Sequence, residues 1–286
     1  MGQTTYILTL SCHDTRGIVA AVAGFLAAHD GFILESTQFG DPSTERFFMR
    51  VQFSSGSAMP AGEQLRQAFD EKVGQPFAMD WRINDAADKA RVLILVSKQL
   101  HCLNDLLHRY RTRQLAMEIP AVISNHPDAR GIVEWHGIPF HHLPIVDGNK
   151  VAQEAQIREI MTEHYIDIVV LARYMQILSP ELSASLRGRA INIHHSFLPS
   201  FKGAKPYHQA HERGVKLIGA TAHYVTDALD EGPIIDQEVT RVNHSYSPEA
   251  LTLMGQDIEA QVLARSLNYK LQHRVLLNGN KTVVFT

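Results

Sequence analysis

The N-terminal part of the chain alternates between short segments typical of strands and longer segments typical of helices. Apolar residues recur at helical spacing over Ile18–Ala28 and again from Pro60 to about Val73. Four segments rich in β-branched and aromatic residues are predicted strands: Thr4–Cys12, Phe32–Phe39, Arg46–Phe53 and Phe77–Ile83. The resulting order is βαββαβ, which predicts a ferredoxin-like split unit.

A different pattern begins at Arg91, where the run RVLILVS is continuously aliphatic, as in a strand buried on both faces of a parallel sheet. Further predicted strands are Ile119–Ser124, Phe140–Leu143, Ile166–Leu171 and Ala190–His194. The predicted helices are Leu103–Arg113, Asp128–His136, Val151–Tyr165 and a last helix from Pro248 to about Lys270. The alternation of strands and helices predicts a doubly wound, mostly parallel, Rossmann-like α/β sheet.

The polar segment Asn84–Asp88 separates the two patterns and marks the predicted domain boundary. We assign residues 1–86 to the first domain and residues 87–286 to the second. Near the end of the chain, Asn278-Gly279-Asn280 lies between two apolar runs and predicts a closing β-hairpin.

Composition and charge exclude several classes of protein. Of the 286 residues, 27 are Lys or Arg and 30 are Asp or Glu, so a net charge of −3 gives no basic surface for nucleic acid or an anionic membrane. No apolar run approaches the length of about 18 residues that a membrane span needs, and the first residues lack the pattern of a signal peptide. Two cysteines are too few for a disulfide framework. We therefore expect a soluble cytoplasmic protein without nucleic-acid or membrane partners.

One candidate for chemistry is the end of the predicted strand Ala190–His194. Residues two apart on a strand point to the same side, so Asn192 and His194 share a face at the carboxyl edge of the sheet, where open α/β sheets bind ligands. An amide can stabilise an oxyanion while an imidazole moves a proton. For this motif alone, the alternative is that both side chains satisfy backbone groups in a tight loop.

A second candidate is the acidic turn in GATAHYVTDALDEGPIIDQ, residues 219–237. Asp227 and Asp230 lie between two predicted strands, so one carboxylate could reach a neighbouring strand end. Beside His194, that carboxylate would raise the imidazole pKa or orient an attacking water. The alternative is that both aspartates are turn residues that bind their own backbone.

The histidines do not indicate a metal site. His141 and His142 are adjacent on a predicted strand, so their side chains diverge, and no third ligand follows at a useful spacing. His101 and Cys102 are neighbours at the start of a predicted helix, and we expect their side chains to face apart. We expect no required metal and no cofactor.

Two motifs together resemble the signature of the folate-dependent formyltransferase superfamily: N-I-H-H-S-F-L-P-S-F-K-G from Asn192, and A-H-Y-V-T-D-A-L-D-E-G-P-I-I from Ala222. The resemblance implies that Asn192, His194 and Asp230 form the active site. The segment L-A-R-Y-M-Q-I-L-S-P from Leu171 resembles the one that holds the pterin ring of the folate. The residues that the resemblance implies for the pterin pocket are Met175, Gln176, Ile177, Leu178, Val225 and Asp227.

Residues 97–102, SKQLHC, lack the glycine-rich phosphate loop of the superfamily members that formylate glycinamide ribonucleotide. His195 also replaces their usual proline, and the extra domain stands in front. By these features the chain resembles the hydrolytic members. The resemblance implies hydrolysis of 10-formyltetrahydrofolate to formate and tetrahydrofolate, which balances the one-carbon pool and supplies formate for purine synthesis. Two alternatives stay open: formyl transfer to an amine acceptor such as glycinamide ribonucleotide, and a non-enzymatic folate or amino-acid sensor.

The expected mechanism gives one task to each matched group. Asp230 orients and helps to deprotonate a water molecule, which attacks the formyl carbon. Asn192 and His194 stabilise the tetrahedral oxyanion, and a proton then reaches the departing N10 nitrogen.

The N-terminal segment L-S-C-H-D-T-R-G-I-V-A-A-V-A-G-F-L, from Leu10, resembles the strand–turn–helix opening of ACT domains. The resemblance implies a domain that pairs edge to edge and binds a small amino acid at the shared interface, with Asp14 to Gly17 as the effector loop. The alternative is a purely structural dimerisation unit. Because an unpaired sheet edge is a liability, we expect a homo-oligomer in either case.

Overall fold

The structure is a computed structural model that describes residues 4–146, 148–198 and 206–286. These residues form two compact units. The first unit comprises the chain up to Lys89 together with Gln272–Thr286, and the second comprises Ala90–Leu271. The break after Lys89 lies close to the predicted boundary. The last fifteen residues, which the sequence analysis assigns to the second domain, are instead part of the first unit.

The first unit contains an antiparallel sheet with strand order β2-β3-β1-β4. Its strands are β1 Thr5–His13, β2 Gly31–Asp41, β3 Arg46–Ser55 and β4 Asp80–Asp85, and its helices are α1 Ile18–Ala28 and α2 Gly62–Phe69. One face of the sheet buries apolar side chains such as Leu8, Leu10 and Phe53 against the two helices. The order of elements is the predicted βαββαβ.

The segment between α2 and β4 differs from the prediction. A π-helical turn, Asp70–Gly74, follows α2, and β4 begins at Asp80, later than predicted. The Trp81 indole N–H donates to Asp70 Oδ1 at 3.1 Å, and a Cβ atom on Gly74 would lie 2.4 Å from the same nitrogen. The tryptophan is thus packed against a widened helical turn. Turns at residues 75–78 follow it, and they include the start of the predicted strand.

The second unit contains a seven-stranded sheet with strand order β11-β10-β9-β8-β5-β6-β7. Its strands are β5 Ala90–Val96, β6 Met117–Ser124, β7 Phe140–His142, β8 Ile168–Ala172, β9 Ala190–His194, β10 Leu217–Tyr224 and β11 Ile234–Arg241. Strands β5 to β9 are parallel, and β10 is antiparallel to both neighbours. The strand order reverses between β5 and β8, as in a doubly wound fold. The predicted doubly wound, mostly parallel sheet is therefore confirmed.

The helices of the second unit are α3 His101–Arg111, α4 Arg130–Trp135, α5 Lys150–Glu163, α6 Pro180–Ser185, α7 Pro206–Glu212 and α8 Pro248–Leu271. The long helix α8 begins where its sequence predicts, because the Ala250 N–H donates to the Ser247 hydroxyl at 3.3 Å and caps the first turn. Among the described helices, none is long and apolar enough to cross a membrane.

The chain ends in the hairpin β12 Val275–Asn278 and β13 Lys281–Val284, which belongs to the first unit. Arg50 of β3 is 2% exposed, and its Nε donates to the Gln272 carbonyl at 3.1 Å while its Nη1 contacts Glu35 at 3.0 Å. Arg274 pairs with the same carboxylate at 3.3 Å. A buried cation needs polar partners, and the C-terminal segment supplies one of them. The turn signal predicts the hairpin, but local sequence does not show which sheet it joins.

Asn278 of the hairpin donates from its side-chain amide to Asp41 Oδ2 of β2 at 2.6 Å. This contact makes a pH-dependent contribution to stability. Hydrogen bonds from Ser43, together with those from Asn278 and Thr44, lower the pKa of Asp41 from 3.8 to about 2. A carboxyl with a lowered pKa in the folded state stabilises the fold above its unfolded-state pKa, and this contribution is lost as the pH falls through the folded-state value. We expect Asp41→Asn to lower the urea midpoint of unfolding near neutral pH, and the deficit to shrink between about pH 4 and pH 2.

The matched control is Asp88→Asn, because Asp88 is exposed and its side chain makes no described hydrogen bond. We expect this variant to unfold like the unmodified protein at every pH. A deficit in Asp41→Asn that keeps its full size at the lowest pH would contradict the assignment.

Candidate functional site

A cavity of about 250 Å³ opens at the carboxyl ends of β8 and β9. This edge is where open α/β sheets bind ligands. The residues that sequence analysis assigns to the second domain's site all line this cavity: Asn192, His194, Asp230, Met175, Gln176, Ile177, Leu178, Val225 and Asp227. Three separate sequence segments thus meet around one space.

The pairing of β9 with β10 holds the amide of Asn192. The antiparallel register places His223 opposite Asn192, and Asn192 Nδ2 lies 3.2 Å from His223 Nε2. His223 Nδ1 lies 2.9 Å from the Tyr224 carbonyl oxygen, to which only a protonated nitrogen can donate. When Nε2 of this ring is unprotonated, it accepts one amide hydrogen of Asn192, and the second amide N–H of Asn192 remains for a ligand.

His194 forms the central contact of the site with Asp230. His194 Nδ1 lies 3.2 Å from Asp230 Oδ2, so Nδ1 carries the proton that it donates to the carboxylate. His194 Nε2 is buried and has no hydrogen-bond partner among the described residues. A buried imidazole nitrogen is normally paired. Since this ring lines the cavity, Nε2 is the atom that can exchange a proton with a bound molecule.

The turn between β10 and β11 brings Asp230 to this position. The Tyr224 N–H donates to the Pro233 carbonyl at 2.9 Å and closes the turn. A Cβ atom on Gly232 would lie 1.7 Å from the Tyr224 carbonyl oxygen, so only glycine fits there. Asp230 itself has a φ of 57°, a left-handed conformation that costs a non-glycine residue about 1 kcal/mol or more. Such backbone strain is concentrated at functional positions.

The carboxyl of Asp230 is ionised. Burial acts to raise its pKa, but the imidazoles of His194 and His223 more than offset burial, and the pKa lies well below its usual value. The carboxylate oxygens lie 3.2 Å from His194 Nδ1 and 3.6 Å from His223 Nε2. Asp230 is therefore a negative charge at every physiological pH and a weak base.

The segment after β8 forms an apolar rim on the cavity. Met175 and Ile177 are 56% and 61% exposed although both are apolar, while Leu178 is buried. The loop is anchored below, because the Met175 N–H donates to the Ser97 hydroxyl at 3.0 Å, and that hydroxyl donates to Asn125 Oδ1 at 2.7 Å. Exposed apolar side chains beside convergent polar groups are typical of a ligand site.

Two further residues of the cavity wall, Arg173 and His195, are not among the predicted site residues. Arg173 Nη1 lies 2.7 Å from His195 Nδ1, and the ring of His195 stacks on His194 with 4.7 Å between centroids. A guanidinium can only donate, so His195 Nδ1 accepts. In the sequence, the feature that could point to Arg173 is its position, because it is a charged residue directly after the aliphatic strand β8.

His223 is the third residue that sequence analysis does not assign. In the sequence, His223 stands out as the single histidine of β10, whose other residues are mostly small or apolar. In the structure, the side chain of His223 is buried. Its partner depends on the register between β9 and β10, which the sequence does not show.

A buried carboxylate, Glu259 of α8, lies on the other side of Arg173. Glu259 Oε2 is 2.8 Å from His101 Nε2 and 3.3 Å from Arg173 Nε, and Oε1 accepts from the Tyr207 hydroxyl at 2.7 Å. The Cys102 sulfur lies within 4.8 Å of the His101 and Glu259 ligand atoms, so the expectation that His101 and Cys102 face apart is wrong. Burial and the nearby carboxylate raise the thiol pKa well above its usual value. A protonated thiol and a carboxylate already paired with arginine do not fit a metal.

The predicted effector loop lies in the first unit. Asp14 and Gly17 are exposed, and Gly17 begins α1 with a φ of 94° and no side-chain cap. The Asp14 carboxylate lies against Gly40 of β2, where a Cβ atom would be 2.6 Å from Asp14 Oδ2. The last part of the Asn192 motif, residues 199–203, lies outside the described residues.

Comparisons with known proteins place these observations in a family. The profile of the family described as formyl transferase matches residues 90–267. The formyltetrahydrofolate deformylase of Corynebacterium sp. (strain P-1) is 51% identical over 282 residues, which are 99% of this chain and 98% of that protein. The crystal structure of formyltetrahydrofolate deformylase from Burkholderia mallei ATCC 23344 is 52% identical, with a TM-score of 0.95 over 99% of this chain and 100% of its own.

A second group of relatives matches only part of the chain. Glycinamide ribonucleotide transformylase 1 from Symbiobacterium toebii is 28% identical, with a TM-score of 0.65 over 69% of this chain and 95% of its own. The deformylases, in contrast, match almost from end to end. The chain therefore belongs to the formyltransferase family and, within it, to the formyltetrahydrofolate deformylases.

Proposed function

We propose that this protein hydrolyses 10-formyltetrahydrofolate to formate and tetrahydrofolate, with Asn192, His194 and Asp230 as its catalytic residues. The observation that carries the proposal is the contact between ionised Asp230 and His194 Nδ1, beside the amide of Asn192, at one cavity. The end-to-end similarity to deformylases supports the same reaction.

The low pKa of Asp230 decides which group accepts the proton of the attacking water. A carboxylate that is held ionised is a poor base, but it can orient a water molecule by accepting one of its hydrogens. His194 Nε2 is the unpartnered proton acceptor at the cavity, and Asp230 stabilises the imidazolium that forms. In this proposal the proton therefore moves from the water to His194, and not to Asp230 as the sequence analysis expects.

The tetrahedral intermediate needs a donor for its oxyanion and a proton for its leaving group. The second amide N–H of Asn192 supplies the donor, since the first is held by His223. The imidazolium of His194 adds a second donor, and then passes its proton to N10 as the bond between carbon and N10 breaks. His195, fixed by Arg173 and stacked on His194, keeps the ring in place.

The rim of the cavity fits a heterocycle. Met175 and Ile177 offer apolar surface, and the backbone of residues 175–178 lies outside helices and strands, so its N–H and C=O groups can bind the edge of a pterin ring. Val225 and Asp227 also line the cavity. A role in supplying formate for purine synthesis and a cytoplasmic location stay predictions.

We further propose that the first unit is an ACT-like domain that pairs with a second copy of the chain, and that the exposed loop Asp14–Gly17 takes a small amino acid. Strand β2 lies at an edge of its sheet. It carries three large apolar side chains that are 46% to 68% exposed: Phe32, Leu34 and Phe39. A long apolar edge strand on a soluble unit favours pairing with another edge.

Hydrolysis is tested first by formate release. The purified protein, given 10-formyltetrahydrofolate and no amine, should release formate and tetrahydrofolate in equal amounts. Asp230→Asn should lower the rate by about a hundredfold or more, because His194 loses its charged partner. Asp257→Asn, at an exposed position of α8, serves as the matched control and should keep the rate.

The other outcomes identify the alternatives. If formate appears only after an amine such as glycinamide ribonucleotide is added, or if that amine is formylated instead, the protein is a transferase. Folate binding with neither product would identify a sensor.

Asn192→Ala tests the oxyanion donor. We expect kcat to fall by about a hundred- to a thousandfold with a smaller change in KM, because the lost hydrogen bond is strongest in the transition state. Asn104→Ala, at an exposed position of α3, controls for the change of side chain. A fall of less than about threefold in a folded variant would exclude Asn192 from this role.

Sedimentation measures the proposed pairing through β2. The unmodified protein should sediment as a dimer or larger assembly, and Leu34→Lys should lower its mass because a charge on the paired edge opposes association. Trp135→Lys, at an apolar position of the second unit that is 65% exposed against 51% for Leu34, should leave the mass unchanged. A monomeric unmodified protein, or equal effects of both variants, would contradict pairing through β2.

A further inference from the structure

The rings of His194 and His195 lie against each other at the end of β9. Neighbouring side chains within a strand point to opposite sides of the sheet, but β9 ends at His194 and the chain bends at the next residue. The two imidazole planes are inclined by 25°, with 4.7 Å between their centroids. Both rings line the cavity of the candidate site. Two groups of the same chemical type can thus reach one bound molecule.

The partners of the two rings give them opposite tautomers. His194 Nδ1 lies 3.2 Å from Asp230 Oδ2, so its proton is on Nδ1 and its Nε2 is an acceptor. His195 Nδ1 lies 2.7 Å from Arg173 Nη1, which can only donate, so Nδ1 is the acceptor in this ring. A neutral imidazole carries one N–H, and in His195 it is therefore on Nε2. The first ring offers a base, and the second offers a hydrogen-bond donor.

Contacts on its other side hold Arg173 in the position that fixes this tautomer. Arg173 is 8% exposed, and its Nε donates to Gln99 Oε1 at 2.9 Å and lies 3.3 Å from Glu259 Oε2. Its backbone carbonyl accepts from the Ser97 N–H at 3.2 Å. A guanidinium has no acceptor atom, so its contact with His195 holds only while Nδ1 of that ring is unprotonated.

The proposed hydrolysis needs a donor that His194 cannot supply while the water attacks. During the attack His194 Nε2 accepts the proton of the water, so at that moment it has no hydrogen to give to the formyl oxygen. The amide of Asn192 supplies one donor. Donors that are fixed before the reaction stabilise a developing oxyanion best, because they need no reorganisation. The Nε2–H of His195 is a donor of this kind, on a ring of the same cavity wall.

We propose that His195 is a further catalytic residue of this site, whose Nε2–H donates a hydrogen bond to the formyl oxygen as that oxygen becomes an oxyanion. The inference rests on the proposed hydrolysis and adds a second fixed donor to Asn192. His195 keeps its proton throughout, so the proton of the water passes to His194 Nε2 and then to N10 as before. Because Arg173 faces Nδ1 of His195, the imidazolium of His194 forms beside a ring that stays neutral.

Two substitutions separate a donor from a ring that only packs. His195→Phe keeps an aromatic ring against His194 but has no N–H, whereas His195→Gln loses the ring and keeps an amide N–H. We expect kcat for formate release from 10-formyltetrahydrofolate to fall by about a hundredfold or more in His195→Phe, with a smaller change in KM. His195→Gln, which retains a donor, should stay within about tenfold of the unmodified protein. A role in packing alone predicts the opposite order of the two variants.

His244→Phe and His244→Gln are the matched controls, because His244 is an exposed histidine of the same unit. Both should keep the kcat of the unmodified protein. A folded His195→Phe that is as active as His195→Gln, or more active, would overturn the role as donor while the hydrolysis stands. If the unmodified protein releases no formate in the same assay, the proposed hydrolysis itself is wrong, and the role of His195 falls with it.

A spectroscopic measurement covers the case in which His195→Phe does not fold. Nuclear magnetic resonance correlations between ring nitrogens and ring protons distinguish the two tautomers of a neutral histidine. In protein isotopically labelled in its histidine rings, the signals that are missing from His195→Gln identify His195. We expect the proton of this ring on Nε2 near neutral pH, as the contact with Arg173 requires. A proton on Nδ1 of His195 would overturn the proposal.

Discussion

The placement of one ionised carboxylate against one imidazole is the constraint on which the site depends. Asp230 reaches His194 only because the turn after β10 folds back over β9, and that turn requires glycine at position 232 and a left-handed backbone at Asp230. The contact fixes the proton on His194 Nδ1 and leaves the buried Nε2 without a hydrogen-bond partner among the described residues. The chain thus uses local backbone strain to set the protonation of a side chain on another strand.

The architecture could be predicted because its signals are local. Buried parallel strands give continuous aliphatic runs in the sequence. Since the carboxyl ends of such strands meet at one edge of the sheet, the pattern predicts that Asn192 and His194 lie beside the ends of the neighbouring strands. The contacts that complete the site are not local. The partner of Asn192 depends on the register between β9 and β10, and the pairing of Arg173 with Glu259 joins residues far apart in the chain. For the same reason, local sequence does not show that the C-terminal hairpin belongs to the first unit.

The second unit places two carboxylates beside imidazoles, Glu259 and Asp230, and uses them differently. Glu259 accepts from Tyr207, Arg173 and His101, so little of its hydrogen-bonding capacity remains. Among the residues that the structure describes, the partners of Asp230 are imidazoles, and it lies on the wall of a cavity, where it can accept from a bound molecule. Both carboxylates are charged, so the structural carboxylate differs from the reactive one in how many of its hydrogen-bonding positions are already filled and in how deeply it is buried. Arg173 contacts Glu259 directly, and it also contacts His195, whose ring stacks on His194 beside Asp230.

Because the last fifteen residues belong to the first unit, they affect the order in which the two units can fold during synthesis. The strands β1 to β4 emerge early, but Arg50 and Asp41 meet Gln272 and Asn278 only after the whole second unit has been synthesised. Until then one face of the early sheet lacks its hairpin and exposes a cation that is buried in the finished fold. Domains generally fold as units during synthesis, from the N-terminus onward. Here the first unit to begin folding is the last to be completed, and an interrupted chain carries an unfinished surface at its N-terminal end.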